Sequence, residues 1–224
     1  MKDDLFYYKV NKTDEHSPID GNWNKSLWNR TESLLIAKDN NWAPSYKPHT
    51  EVKLRYNNTN LYVIFCVRDQ YIKCVTDNHN GPVWHDSCVE FFFSPDITNS
   101  QNYFNIEVNC SGYAYMAFQR VPKIDYDLFT IEDIEATKIA HTINDLVIEE
   151  IEQPMDWFIE YKLPFEILGQ YTKFPSPVKG DIWRANFYKC AENNSHPHWL
   201  SWAKIKNPQP DFHLIQYMRT LKFN

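Results

Sequence analysis

The strongest constraint on the fold is a series of short segments in which apolar and polar residues alternate between turn signals. Residues 50–56 alternate, residues 57–60 are turn formers, and residues 61–67 alternate again. Residues 103–109 and 113–118 repeat this arrangement around Ser-Gly. A period of two places successive side chains on opposite faces of a strand. We therefore expect two antiparallel hairpins, each with one apolar face.

The remainder of the chain favours the same class of fold. Further short strand patterns follow, and helical periodicity is almost absent apart from a short stretch at residues 164–169. Residues 68–83 and 122–135 show no clear pattern and are predicted to be irregular. Many short strands with turn signals predict an all-β fold, a β-sandwich of two antiparallel sheets with short connecting helices. A length of 224 residues suits a single domain over residues 1–224.

Charge and hydropathy exclude some classes of partner. The net charge of −6 disfavours nucleic acid, whose phosphates need clustered lysine and arginine. No apolar run is long enough for a transmembrane helix, so no membrane partner is expected. The first residues, Met1-Lys2-Asp3-Asp4, lack the apolar stretch of a signal peptide. A signal could still have been removed, so the cellular compartment stays open, as does the oligomeric state.

Cysteine and histidine give little support for a metal centre. The five cysteines are odd in number and widely spaced, so we expect buried, reduced thiols. His85, His196, His198 and His213 could in principle gather around a metal or haem. His196 and His198 are expected in a solvent loop, and no methionine pairs with a histidine in a recognisable motif. The sequence therefore predicts neither a metal site nor a cofactor.

Residues 84–95 carry the clearest functional signal. Their apolar residues fall on one strand face, whereas Asp86 and Glu90 fall on the other, and Trp84 stands at the start of the strand. An aromatic plane beside carboxylates suits a sugar, because the ring covers the apolar C–H face and the carboxylates accept from hydroxyls. The alternative is a core tryptophan beside a solvated strand face.

Two other regions add polar and aromatic candidates. In residues 103–109, Glu107 and Asn109 share a polar strand face that could equally be a solvated outer face. Alternation directs these side chains and Glu90 toward one place. Near the C-terminus, Trp202 and the pair Phe212-His213 flank a proline-rich loop and could supply a second apolar surface.

Taken together, the motifs resemble the family-nine carbohydrate-binding modules and their larger family-nine-like relatives. The similarity covers roughly residues 19–223. The matching motifs are Ile19-Asp20-Gly21 with Trp28, Leu61-Tyr62-Val63, residues 84–90, residues 157–168, residues 180–188, Ser201-Trp202 and Asp211-Phe212-His213.

The resemblance implies an immunoglobulin-like or jelly-roll-like sandwich and glycan binding between two aromatic rings. Trp84 matches the first ring, and Phe212 lies near the place where better-known members have a second tryptophan. Glu90 matches a carboxylate that contacts sugar hydroxyls. A family Arg-x-Asn pair falls on Glu107 and Asn109, so an anion replaces a cation. Such modules are often attached to xylanases. Some bind calcium, and a structural calcium ion stays possible although no loop here has convincing ligand spacing.

The expected function is therefore non-catalytic binding of a neutral mono- or oligosaccharide. The sugar would stack on Trp84, with the strand carboxylates and Asn109 as hydrogen-bonding partners. One alternative is a glycoside hydrolase in which Asp86, Glu90 and Glu107 include a general acid and a nucleophile or base. The other is a structural or interaction β-sandwich.

Overall fold

The computed structural model describes residues 7–14, 17–95, 101–173 and 176–224, which contain 15 strands and three short helices. The strands are β1 (Tyr7–Lys12), β2 (Leu34–Ile36), β3 (His49–Tyr56), β4 (Asn60–Asp69), β5 (Ile72–Cys74), β6 (Cys88–Ser94), β7 (Tyr103–Asn109), β8 (Ala114–Val121), β9 (Asp125–Leu128), β10 (Ala140–His141), β11 (Val147–Ile151), β12 (Met155–Pro164), β13 (Ile182–Ala191), β14 (His198–Ser201) and β15 (Arg219–Phe223). The helices are α1 (Ser26–Asn29), α2 (Ile131–Ala136) and α3 (Phe165–Tyr171). No helix in the described ranges has the length and apolar character needed to cross a membrane.

Thirteen strands form one curled sheet in the order β10-β12-β4-β3-β1-β15-β13-β6-β7-β8-β9, with β2 paired to β3 and β14 paired to β13. Strand β1 joins the two halves, because Tyr7 to Val10 pair in parallel with β15 and Asn11 and Lys12 pair in parallel with β3. Strands β5 and β11 form a separate small sheet. The all-β prediction is confirmed. Two separate antiparallel sheets are not confirmed, because hydrogen bonding through β1 is continuous.

The predicted apolar strand faces form the main core. Strands β3 and β4 contribute a row of fully buried residues, and β6, β7 and β13 contribute a second row opposite them. Within it, Phe91 stacks on Phe187 at a centroid distance of 4.7 Å and on Phe93 at 4.6 Å. Burying each of these rings stabilises the fold by about 1.5–3 kcal/mol. Both predicted hairpins are present in the expected register.

Two segments predicted to be irregular are partly regular. Residues 68–83 contain β5 and the start of a 3-10 turn at Val83–His85, and residues 122–135 contain β9 and most of α2. Helix α2 begins where the Thr130 hydroxyl accepts a hydrogen bond from the Asp133 amide at 3.1 Å, an ordinary N-cap. All four residues of β9 are exposed, and its alternation of Tyr126 and Leu128 with two aspartates is too short to identify a strand.

A second apolar cluster lies on the opposite face of β6, β7 and β13. Phe92, Tyr103 and Tyr188 project from these strands, and the segment after β14 packs over them. Phe212 in that segment stacks on Tyr188 with a centroid distance of 4.1 Å and an interplanar angle of 11°. A pocket lies on this face of the sheet, lined in part by the covering segment.

Candidate functional site

The pocket has a volume of about 350 Å³ and lies between the Trp84 turn and the 210–213 segment. Strands β6, β7, β8 and β13 form its floor. Its lining consists of the polar residues Glu90, Glu107, Gln119, Lys123, Cys190, Glu192, Asp211 and His213 and of the apolar or aromatic residues Trp84, Tyr115, Tyr126, Trp199, Pro210 and Phe212.

Two buried acids face each other across the floor. Glu90 on β6 and Glu107 on β7 are directly opposed in the strand register. Their exposed fractions are 2% and 3%. Both belong to the strand faces turned away from the main core, as alternation with Phe91 and Ile106 requires. The sequence therefore predicted this pair and its common direction correctly.

A relay of amides orients Glu107. The Asn105 amide donates to Glu107 Oε1 at 2.9 Å, and the Gln119 amide donates to Asn105 Oδ1 at 3.0 Å. Gln119 in turn accepts from the backbone amide of Lys123 at 3.0 Å. Buried amides without partners are costly, so this complete chain fixes the position of the Glu107 carboxyl.

Glu90 has a thiol as its hydrogen-bonding partner. The Sγ atom of Cys190 on β13 lies 3.1 Å from Glu90 Oε1. No described residue donates a hydrogen bond to Oε2 of either Glu90 or Glu107. Each acid therefore offers one oxygen to a molecule in the pocket.

Burial controls the charge of both acids. Removal from water raises the pKa of Glu107 to about 7, with Glu192 acting in the same direction. Burial also raises the pKa of Glu90 well above its ordinary value, and Cys190 and Glu107 reinforce that shift. Near neutral pH at least one of the pair is a neutral acid, which can both donate a hydrogen bond and accept one.

Aromatic rings form the wall beside these acids. Trp84 is half-buried and meets Tyr115 edge to face at 5.4 Å and 90°. The indole N–H of Trp199 donates to Glu192 at 3.1 Å, and this holds a second half-buried ring at the mouth. Trp84 thus lies at the pocket surface and is not enclosed in the core.

The opposite wall comes from the covering segment. Phe212 is 8% exposed, because one of its faces rests on Tyr188. The Nδ1 atom of His213 lies 2.6 Å from the Tyr103 hydroxyl. Burial and the charge of Lys123 lower the pKa of His213 to about 4, so the ring is neutral and Nδ1 accepts a hydrogen bond from the Tyr103 hydroxyl.

One ion pair spans the rim. Lys123 Nζ lies 2.8 Å from Asp211 Oδ1 and connects the turn between β8 and β9 with the covering segment. Lys123 is the one lysine or arginine among the pocket-lining residues. Its charge is already matched by Asp211, so the pocket has no free cation for an anionic ligand.

Asp86 and Asn109 do not line the pocket. Asp86 is buried and accepts from the backbone amides of Val75 at 2.9 Å and Thr76 at 3.1 Å. Asn109 donates to Asp86 at 3.0 Å and accepts from the Tyr113 amide at 2.9 Å. The pair links β7 to the segment after β5, and its hydrogen-bonding groups are occupied there.

Trp202 also lies elsewhere. It is buried in the main core, where its ring centroid lies 5.8 Å from that of Phe187. The guanidinium carbon of Arg219 lies 5.7 Å from the centroid of its ring. The neighbouring Trp199 occupies the pocket instead. Of the residues expected to bind ligand, the structure thus brings together Trp84, Glu90, Glu107, Phe212 and His213.

The four histidines considered as metal ligands are dispersed. His85 pairs with Glu192 at 3.4 Å, His196 stacks on Tyr71 at 3.7 Å, and His198 is buried against Lys189. Within the ranges that the structure describes, three metal-ligating atoms approach one another at a different place, formed by Cys88, Glu90 and Cys190.

Several residues that line the pocket were not predicted from the sequence. Tyr115 is the strand partner of Glu107, and its position on the polar face of β8 could have been inferred from alternation. Gln119 lies on the same face, four residues further along. Tyr126 and Trp199 lie on the four-residue strands β9 and β14, which are too short for alternation to identify, and Glu192 follows the end of β13.

Comparison with known proteins identifies the family of the chain. The model of carbohydrate-binding family 9 matches residues 27–223. A candidate carbohydrate-binding protein from Bacteroides uniformis ATCC 8492 is 25% identical, with a TM-score of 0.87 over 97% of this chain and 99% of that one. No curated protein sequence matches.

Two solved structures from Caldicellulosiruptor kristjanssonii share the fold at lower identity. A family 9 module in complex with glucose is 13% identical, with a TM-score of 0.65 over 96% of this chain and 95% of that one. The module in complex with cellotriose is 14% identical, with a TM-score of 0.66 over 97% and 93%. With the family model covering most of its length, this chain belongs to carbohydrate-binding family 9.

Proposed function

We propose that the pocket binds a neutral mono- or oligosaccharide without catalysis. The observation that carries the proposal is the half-buried ring of Trp84 beside the opposed buried acids Glu90 and Glu107. The ring offers an apolar plane to the C–H face of a pyranose, and the free oxygens of the acids offer partners to adjacent hydroxyls. Complexes of family 9 modules with glucose and cellotriose support a saccharide of this kind.

The charge of the pocket supports a neutral ligand. Two acids form its floor, and its one lining cation is paired with Asp211. A uronic acid would place a further carboxylate beside these groups, where like charges repel. A neutral sugar supplies hydroxyl donors instead. Because a small ligand offers few atoms to contact, we expect a dissociation constant on the order of micromolar to millimolar.

Isothermal titration calorimetry with neutral and acidic mono- and oligosaccharides tests the proposal. Trp84→Ala should weaken binding by roughly 1–3 kcal/mol, because it removes the principal aromatic plane. Trp23→Ala is the matched control, since Trp23 is also half-buried but does not line the pocket. The proposal fails if no sugar binds at millimolar concentration, or if Trp84→Ala binds as well as the wild type.

The same samples test the hydrolase alternative. We expect no release of reducing sugar from xylan, cellulose or mixed plant oligosaccharides, because the family resemblance is to modules that bind. Turnover that disappears in a folded Glu90→Gln variant would assign the opposed acids to hydrolysis.

A further inference from the structure

We propose that Cys88, Glu90 and Cys190 form a binding site for a soft divalent cation such as Zn²⁺ at the floor of the pocket. Their ligand atoms all lie within 4.8 Å of one another, and all three residues are buried. Cys88 and Glu90 are two residues apart on one face of β6, and Cys190 on β13 lies directly opposite Cys88. Rigid strands, and not a loop, therefore hold the three donors together.

The dimensions suit tetrahedral coordination. Zn–S and Zn–O distances of about 2.3 and 2.0–2.2 Å place neighbouring ligand atoms roughly 3.5–3.8 Å apart. Cys190 Sγ and Glu90 Oε1 are 3.1 Å apart, so small side-chain rotations are enough to admit an ion. Two sulfur donors with one carboxylate favour Zn²⁺ over Ca²⁺, which prefers an oxygen shell.

The residues that the structure describes around Glu90 leave its carboxyl without a cationic side chain as partner. Glu90 and Glu107 are buried side by side, and a buried carboxyl without a cation is costly. Lys123 is engaged by Asp211 on the rim. Lys189, next to Cys190 in sequence, instead contacts His198 at 2.8 Å. The charge of a divalent ion would balance the two thiolates, whose protons are released to solvent, and the ion would give the Glu90 carboxylate a direct partner.

The site would keep one open position. Glu90 and Cys190 both line the pocket, so an ion between them faces its interior. Three protein ligands and an exposed fourth position, taken by water or by a ligand hydroxyl, make up the coordination of an accessible zinc site. The cation site rests on the strand geometry and does not depend on the saccharide proposal.

Cobalt spectroscopy on the reduced, metal-stripped protein tests the inference. Titration with Co²⁺ under anaerobic conditions should give thiolate-to-cobalt absorption in the near ultraviolet that saturates at one equivalent, and Zn²⁺ should abolish it. Cys88→Ser and Cys190→Ser should each weaken Co²⁺ binding by more than the roughly 10–100-fold that outer-shell partners contribute. Cys66→Ser is the matched control, because Cys66 is a buried free thiol outside the cluster. It should bind Co²⁺ like the wild type.

The inference is overturned if no thiolate absorption appears, or if the Cys88→Ser and Cys190→Ser spectra match that of the wild type. Calorimetry with sugar on the metal-free protein separates the two proposals. Sugar binding without a cobalt spectrum removes the cation site alone. A thiolate spectrum without sugar binding supports the cation site and removes the saccharide proposal alone.

Discussion

The substitution Glu160→Gln should destabilise the fold severely, because one buried carboxylate anchors the N-terminal segment. Glu160 on β12 is fully buried. Its Oε2 accepts from the backbone amides of Asp20 at 2.9 Å and Gly21 at 2.8 Å, and its Oε1 accepts from the Trp28 indole at 2.9 Å. Lys25 Nζ lies 2.8 Å from Oε2. These contacts explain why the Ile-Asp-Gly motif, Trp28 and Glu160 occur together in this chain.

The expected loss of stability follows from the hydrogen bonds that glutamine cannot accept. It keeps the size of glutamate but replaces one acceptor oxygen with an NH₂ donor. In one orientation this donor faces the two backbone amides, and in the other it faces the indole N–H of Trp28. Each buried donor left unsatisfied costs about 1–3 kcal/mol. Lys25 also loses its charge-assisted hydrogen bond to Glu160, at a cost of about 2 kcal/mol, but keeps the one to Asp20 Oδ1 at 2.9 Å. We expect a total loss of about 3–5 kcal/mol.

Urea denaturation measures the free energy of unfolding, and thermal melting provides a second readout. For a chain of this size the melting temperature should fall by roughly 6–20 °C. Glu166→Gln is the control, because Glu166 is exposed on α3 and should change stability by less than about 0.5 kcal/mol. A loss below about 1 kcal/mol in Glu160→Gln would refute the reasoning and show that water can replace these contacts.

Three further predictions test other parts of the structure. Burial lowers the pKa of His213 to about 4, whereas the unfolded chain protonates near 6.5, so its contribution to stability disappears as the pH falls through this range. His213→Gln should therefore reduce the loss of stability between pH 7 and 4 by up to about 3 kcal/mol in urea titrations; an unchanged pH profile contradicts this. Gly112→Ala should lower the free energy of unfolding by more than about 1 kcal/mol. The φ angle of Gly112 is +88°, and a Cβ at this position would lie 2.4 Å from the His141 ring. Gly169→Ala, with open space around it, should not destabilise in the same melting experiment. Asp86→Asn should cost about 1–3 kcal/mol in denaturation, since a backbone amide loses its acceptor, yet leave the sugar affinity of the folded protein unchanged. A lost affinity would place Asp86 in the site.

Strand periodicity predicts the floor of the pocket well, because it depends on local geometry. Phe91 enters the main core, so Glu90 must face the other way, and register then aligns Glu90 with Glu107. The same argument fails for Asp86. It follows the 3-10 turn at Val83–His85, and a turn interrupts the alternation on which the prediction depends. The side chain thus points to the backbone after β5 and not into the pocket.

The choice between tryptophans depends on tertiary structure. Trp199 lies within β14 and faces the pocket, whereas Trp202 follows the end of that strand and enters the core. Because they are three residues apart, alternation places them on opposite faces, with Leu200 and Trp202 together in the core, but alternation alone does not say which face meets the pocket. Strand β9 presents a related difficulty, since its alternation covers only four exposed residues and pairing with β8 is what defines it.

The resemblance aligns Glu107 with a family arginine, and such a replacement would change the chemistry that the pocket favours. Opposed glutamates on neighbouring strands repel when both are ionised. The chain accommodates the pair by burial, which keeps a proton on the floor, and by the amides of Asn105 and Gln119, which hold Glu107 in place. A cationic floor would attract an anion. This floor instead offers carboxyl oxygens that can accept from hydroxyl donors, and the neutral sugar that we propose would supply those donors without adding negative charge.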